Sequence, residues 1–297
     1  MLTSHQLPVP VVVVGGISVG GSGKTPMVLS LIDHLRGEGM RPGVISRGYG
    51  GNSDFWPRVV GDDTSAELVG DEPQLIWQIS GAPVVVGPER VRCGQHLLDR
   101  FDCDVIISDD GFQHFALKRD HDLVVVDGEA GIGNGWCLPS GPLREPVSAL
   151  SRAHTVVVNG ESSFDDKLGV PVYEMRSELG DARNLVTEET RPLSEFAGST
   201  INAMAAIGNP DRFFAQLKEL GLSVEPRPFP DHYQYDEADL PKSDDAIVMM
   251  TEKDGIKCQG MRSEPFARNV WIVPAKVSVD AAVFERVDET LKRVARK

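Results

Sequence analysis

Six consecutive residues, Gly20-Gly21-Ser22-Gly23-Lys24-Thr25, have the types and order needed to hold a chain of phosphates. Glycines let backbone N–H groups point at phosphate oxygens. A lysine at the end of such a loop reaches the β- and γ-phosphates, and the hydroxyl that follows it can ligate Mg²⁺. The candidate nucleotide-binding loop runs Ser18, Val19, Gly20, Gly21, Ser22, Gly23, Lys24, Thr25. The strict pattern asks for glycine where this chain has Ser18, and Gly20 and Gly21 restore the backbone freedom the loop needs. A glycine-rich turn with an incidental lysine would explain the same letters. The flanking pattern argues for the phosphate loop, because an apolar run, VVVV, precedes it and an amphipathic segment follows.

A phosphate loop of this kind needs a second strand that ends in an acid near the metal. Val105-Ile106-Ile107-Ser108-Asp109-Asp110 is an apolar run delivering two carboxylates, and Gly111 turns the chain. Leu123–Asp127, with one acid before Gly128, is the second candidate. The doublet in DDGFQH favours Asp109 and Asp110 as metal neighbours. A plain Asp-Gly turn at the end of a strand is the simpler alternative.

The elements that must position these groups alternate strand and helix. Val9–Val14 reads as a strand buried on both faces. Met27, Val28, Leu31, Ile32 and Leu35 recur at helical spacing, with Pro26 in the first turn and Gly37 and Gly39 closing the helix. Further strands are expected at Gly43–Ser46, Pro83–Val86, Asp104–Ser108, Leu123–Val126 and Thr155–Val158. Helices are expected over Glu72–Ile79 and Glu89–Arg100. Repeated βα units imply an α/β fold of P-loop NTPase type, a mainly parallel sheet with helices on both faces. Residues 1–160 are expected to form this core, and 161–200 a polar linker built as a two-stranded ribbon. Residues 201–297 are expected to form a smaller C-terminal α/β domain, with strands at Ile201–Ile207, Ala246–Met250 and Val270–Val273 and a final helix over Asp280–Ala295.

The 297-residue chain can bury a substantial core. Its net charge of −14 gives no basic footprint, which argues against a nucleic-acid partner. The four cysteines form no CxxC pair, so zinc-ribbon and thioredoxin chemistry are not expected, and reduced thiols are. No apolar run reaches the ~18 residues needed to span a bilayer, and the first ten residues do not read as a secretory signal. No segment points to an obligate protein partner.

Several segments resemble, in order, those of one family, the tetraacyldisaccharide 4′-kinases of lipid A biosynthesis. They are GGISVGGSGKTP, VISRGYGG, GDEP, APVVVGPER, SDDGFQH, LPSGPLREP, AAIGNPDRFF, FPDHYQY and MTEKDGIKC. The resemblance implies transfer of the γ-phosphate of ATP, with Mg²⁺, to the 4′-hydroxyl of a tetraacylated glucosamine disaccharide 1-phosphate. It also implies a peripheral membrane contact at the cytoplasmic face of the bacterial inner membrane. Members usually begin with an amphipathic, basic and aromatic segment that meets the membrane. This chain starts almost at its first strand, and how it would meet the membrane stays open.

By the same resemblance Asp71 of GDEP matches the catalytic base, and His232 of FPDHYQY matches the histidine that supports it. Asp109, Asp110 and Glu145 match acids around the Mg²⁺, beside Thr25. Arg47, Tyr49, Arg90, Gln113 and His114 are candidate substrate contacts. Each has a plainer explanation: a helix N-cap for Asp71, a solvated loop histidine for His232, a surface charge for Glu145, and solvated roles for Arg47 and Arg90. Two rival functions remain, a nucleotide switch driving a partner protein and a small-molecule P-loop kinase. The switch predicts an N-K-x-D base reader or clustered Cys and His. The nearest segment is Thr251-Glu252-Lys253-Asp254, which is not N-K-x-D.

Overall fold

A computed structural model describes residues 4–161, 169–241, 246–261 and 265–295. Part of the expected linker, residues 162–168, lies outside the described residues. The chain divides into two compact units, 1–177 with 277–297, and 178–276.

The first unit opens with β1 (Val11–Gly15), α1 (Lys24–Gly37), β2 (Pro42–Ser46), β3 (Arg58–Val59), α2 (Ala66–Val69), α3 (Asp71–Ser80) and β4 (Val84–Val86). It continues with α4 (Arg90–Leu98), β5 (Val105–Asp109), β6 (His121–Asp127), β7 (Thr155–Asn159) and β8 (Val172–Leu179). The second unit holds β9 (Ala182–Asn184), β10 (Thr190–Arg191), β11 (Thr200–Ala205), α5 (Pro210–Glu219), β12 (Ser223–Pro228), β13 (Ile247–Thr251), α6 (Glu252–Lys257) and β14 (Val270–Val273). The chain ends with β15 (Ala275–Val279) and α7 (Ala281–Val294).

In the first unit the strands run in the order β15-β8-β7-β6-β1-β5-β2-β4-β3. From β8 to β4 neighbouring strands are parallel, and β3 adds antiparallel to β4. The valine run has a simple cause. Val12 and Val14 of β1 pack with Met27, Leu31 and Ile76 on one face, while Val11 and Val13 pack with Leu97, Phe112 and Leu150 on the other. A strand covered on both faces needs apolar residues at every position. In the second unit β14, β13, β11 and β12 are mutually parallel, and β9 pairs antiparallel with β14 and β10.

The domain boundaries differ from the sequence expectation at both ends of the second unit. The expected ribbon over 161–200 is not a separate linker: β8 joins the first sheet beside β15, and β9 and β10 join the second. The final helix belongs to the first unit rather than to the C-terminal domain. Its apolar residues Val283, Val287 and Leu291 complete the cluster around Met27 and Leu31. His34 of α1 stacks on Phe284 at 4.5 Å and meets Asp288 Oδ1 at 3.0 Å.

A buried histidine fastens the same helix. His121 Nδ1 lies 3.1 Å from Thr290 Oγ1, and Nε2 lies 3.0 Å from Thr155 Oγ1. The Thr290 hydroxyl donates to the Arg286 carbonyl, so His121 Nδ1–H donates to Thr290 and Nε2 accepts from Thr155. That arrangement suits the neutral ring. Burial first, then His154 and the nearby arginines, push the His121 pKa down from 6.5 to about 3. A group neutral in the fold but protonated in the unfolded chain stabilises the fold above pH 6.5. That stabilisation is lost as pH falls from 6.5 toward 3, at up to about 1.4 kcal/mol per pH unit. We expect His121→Gln to flatten the fall in unfolding free energy between pH 6.5 and 5 in urea titrations. An unchanged slope in the variant would remove His121 from that role.

Candidate active site

The carboxyl ends of β6, β1, β5, β2 and β4 share one edge of the first sheet, and candidate residues of the first unit lie there. The loop after β1 delivers Lys24 as the first residue of α1, 8% exposed. Gly23 caps the helix at φ 94°, in the left-handed region. A Cβ on Gly23 would stand 2.5 Å from Asn159 Nδ2, so a side chain is excluded on two counts. No side chain caps α1, and its first turn carries no acid. The positive end of the 14-residue helix is therefore left to whatever the loop binds. Asn159 Nδ2 also donates to the Ser22 carbonyl at 3.2 Å, holding the loop from the end of β7. No sequence motif singled out Asn159, because the link spans 137 residues.

The strand expected to carry the metal acids ends beside this loop. Asp109 closes β5 and Asp110 follows at φ 46°. Asp109 is buried. Its Oδ2 accepts from Ser46 Oγ at 2.8 Å, and its Oδ1 has no hydrogen-bond partner. Asp110 lies between two cations, with Lys24 Nζ 3.8 Å from Oδ1 and Arg144 Nη1 2.7 Å from Oδ2. The neighbours are driven apart electrostatically. Burial, then the charges of Glu72 and Asp110, push the Asp109 carboxyl up, against the Ser46 hydrogen bond and Lys24. Burial would also raise Asp110, but Lys24 and Arg144 outweigh it and hold that carboxyl below its ordinary value. Adjacent acids with opposite shifts are an arrangement that functional edges use.

The rival strand end is occupied by its own turn. Asp127 Oδ1 accepts from the backbone N–H groups of Glu129 and Ala130 at 2.9 and 3.0 Å. Among the described residues no group of three or more His, Cys, Asp or Glu is placed to hold a metal by itself. That suits Mg²⁺, which takes one or two carboxylates and completes its shell with substrate phosphates and water. The Thr25 hydroxyl and the carboxylates of Asp109 and Asp110, whose Oδ1 atoms accept no hydrogen bond, fit such a partial set.

Glu145, expected as a metal neighbour, is held by two side chains. Its Oε1 accepts from Gln113 Nε2 at 2.9 Å, and its Oε2 from Arg152 Nη2 at 2.7 Å. The segment that carries it runs against the phosphate loop: Ser18 bridges Leu143, and Val19 N–H donates to the Pro142 carbonyl at 2.9 Å. Gln113 is likewise held, donating to the Gly16 carbonyl at 2.9 Å.

Asp71 is not the N-cap of α3. Gly70 is the cap, and Asp71 is the first helical residue, 3% exposed. The glycine-rich loop after β2 lies against this corner, with the Tyr49 carbonyl 2.5 Å from where a Cβ on Gly70 would stand. Glu72, the next residue, is with Asp110 an acid whose charge reaches Asp109.

The candidate substrate contacts separate. Arg47 and Tyr49 are exposed. Arg90 is 2% exposed, and its guanidinium donates to the carbonyls of Gly87 and Asp109 at 3.0 and 3.2 Å. It buttresses the strand end through these two carbonyls. His114 is half-buried, and burial, Arg90, Arg119 and Arg47 all lower its pKa.

His232 belongs to the second unit. It sits at φ 64°, with its N–H donating to Asp231 Oδ1 at 3.1 Å and its Nε2 3.7 Å from Asp231 Oδ2. Lys253 Nζ meets Asp231 Oδ1 at 3.3 Å. Asp254 anchors the surrounding loops: its Oδ1 accepts from Ala206 N–H, from Tyr235 OH at 3.1 Å and from Lys257 Nζ. Fully buried and occupied in this way, Asp254 cannot serve as a base reader.

The comparisons with known proteins agree with the motifs. The family model described as tetraacyldisaccharide-1-P 4′-kinase (LpxK) matches residues 1–292. A tetraacyldisaccharide 4′-kinase of Nitrosococcus oceani is 46% identical over 295 residues, covering 99% of this chain and 84% of the relative. One of Hahella chejuensis is 46% identical over 294 residues, covering 98% and 84%. The crystal structure of LpxK from Aquifex aeolicus in complex with ATP superposes with a TM-score of 0.81 at 32% identity, covering 99% of this chain and 90% of that one.

Proposed function

The chain belongs to the tetraacyldisaccharide 4′-kinase family, and on that premise we propose how its residues perform the family's reaction. It is an ATP-dependent kinase that transfers the γ-phosphate to the 4′-hydroxyl of a tetraacylated disaccharide 1-phosphate, in lipid A biosynthesis. The observation that carries the site assignment is Lys24, almost buried at the uncapped end of α1, 3.8 Å from Asp110 on the neighbouring strand.

Phosphoryl transfer asks mainly for positioning and charge neutralisation. The N–H groups of the loop from Ser18 to Thr25 and the Lys24 ammonium bind and orient the β- and γ-phosphates. Thr25, Asp109 and Asp110 would hold Mg²⁺, which would neutralise charge on the phosphate oxygens. The Lys24 and Arg144 cations keep Asp110 ionised for that task. Asp71 takes the proton of the attacking 4′-hydroxyl. His232 is assigned the support of that base on the match of FPDHYQY alone. Arg47, Tyr49 and His114, at the same edge as the loop, contact the acceptor. Contact with the membrane surface is peripheral, at the cytoplasmic face of the inner membrane, as a lipid-borne acceptor requires. No helix among the described residues is long and apolar enough to cross a membrane.

The test is direct transfer. With γ-labelled ATP, Mg²⁺ and the tetraacyl disaccharide 1-phosphate in detergent, label is expected in the lipid fraction. Label released only as free phosphate by folded protein would support the nucleotide switch instead.

A further inference from the structure

Arg152 belongs to no motif, lies outside the site residues above, and ends a short 3₁₀ turn, Val147–Arg152. Two separate chains of contact lead from it to consecutive residues at the mouth of the phosphate loop. The first is polar: Arg152 Nη2 donates to Glu145 Oε2 at 2.7 Å, Gln113 Nε2 donates to Glu145 Oε1 at 2.9 Å, and the same Nε2 donates to the Gly16 carbonyl at 2.9 Å. The second is apolar. The Arg152 guanidinium lies 4.9 Å from the ring centroid of Phe112 and 5.1 Å from that of Phe115. Phe112 is fully buried and presses on Gly15, where an added Cβ would stand 2.6 Å from Phe112 Cβ.

We infer that Arg152 is a positioning residue for nucleotide binding, setting the backbone of Gly15 and Gly16 through Phe112 and through Glu145 with Gln113. The geometry explains why both an arginine and a glutamate are needed. A carboxylate only 17% exposed requires a partner, and a guanidinium that also stacks on aromatic faces can satisfy it while bracing the ring. The Gln113 amide then has its position defined from both sides. Glu145 acts here as a link to the loop.

The inference rests on the reading that this loop binds ATP, and its test separates the two. ATP binding is measured by calorimetry with Mg²⁺, without the lipid acceptor. If the unaltered protein binds no ATP, the kinase reading of the loop fails and the inference falls with it. If the unaltered protein binds ATP, Arg152→Met is expected to weaken binding about ten- to a hundredfold. The thermal midpoint is expected to shift by less than about 4 °C. The KM of the acceptor is expected to stay unchanged, and Arg152→Lys to recover part of the loss. In a Glu145→Gln background the same substitution is expected to cost less than in the native one, because the polar route is already broken. Native ATP affinity in Arg152→Met, or an equal loss in both backgrounds, would overturn the inference. Should Arg152→Met fail to fold, Arg152→Lys and Glu145→Gln carry the test through the same ATP titration, and native affinity in both overturns it.

Discussion

Asp71→Asn is expected to lower kcat by about 10²–10⁴-fold, the usual worth of a positioned general base, while ATP affinity stays at its native value. The substitution keeps the size of the side chain and removes its ability to take a proton. Asp71 is 3% exposed, so a polar replacement of the same shape is needed to avoid leaving a cavity. It is also the first residue of α3, where a negative charge favours the helix end. Losing that charge costs on the order of 0.3–1 kcal/mol of stability, too little to unfold a protein of this size. Single-turnover transfer from γ-labelled ATP reports the chemical step, and calorimetry reports nucleotide binding. A parallel collapse of both would show that Asp71 shapes the glycine-rich corner against Tyr49 and is not the base.

The second large effect falls on Lys24. Lys24→Met is expected to cut turnover by about 10²–10³-fold, the scale of losing one preorganised donor to transferring charge, and to weaken ATP binding with it. The structure adds a consequence for pH. Lys24 is one of the cations holding Asp110 ionised, and it also opposes the upward shift of Asp109. Without it both carboxyls move up. The acid side of the pH profile of the residual activity should therefore move to higher pH than in the native enzyme. Lys24→Arg should not restore the activity, since a planar fork does not replace a compact ammonium in a nearly closed space. Native turnover in Lys24→Met would place the phosphate site elsewhere. A profile that falls at the native pH would show that the two acids do not depend on the lysine.

These expectations draw on different depths of information. The valine run, the glycine loop, Lys24 and the helix behind it were readable from the letters alone, because each is a local requirement. A strand covered on both faces must be apolar throughout, and a backbone close to phosphates must lack side chains. The acid doublet after Val105–Ser108 was legible for the same reason, and so was the second parallel unit. The order and match of nine segments also carried the family resemblance.

The remainder depended on which strands lie side by side. Helical periodicity says that one face of α7 is buried, and the cover could have been either unit; the structure places it on Met27 and Leu31 of the first. A charge in VGPER reads as a candidate ligand contact, and the fold buries Arg90 and turns its guanidinium to the carbonyls of Gly87 and Asp109. Gly70 takes the cap position that Asp71 could have filled. Glu145, Gln113, Arg152 and Asn159 are far from the loop in sequence, and only the strand order β7-β6-β1-β5-β2 brings them to its edge. Local patterning, set by burial and backbone geometry, determined the elements and the phosphate chemistry. The long-range contacts, which no periodicity encodes, decided which polar side chains are tied to the glycine loop and which stay exposed at the sheet edge.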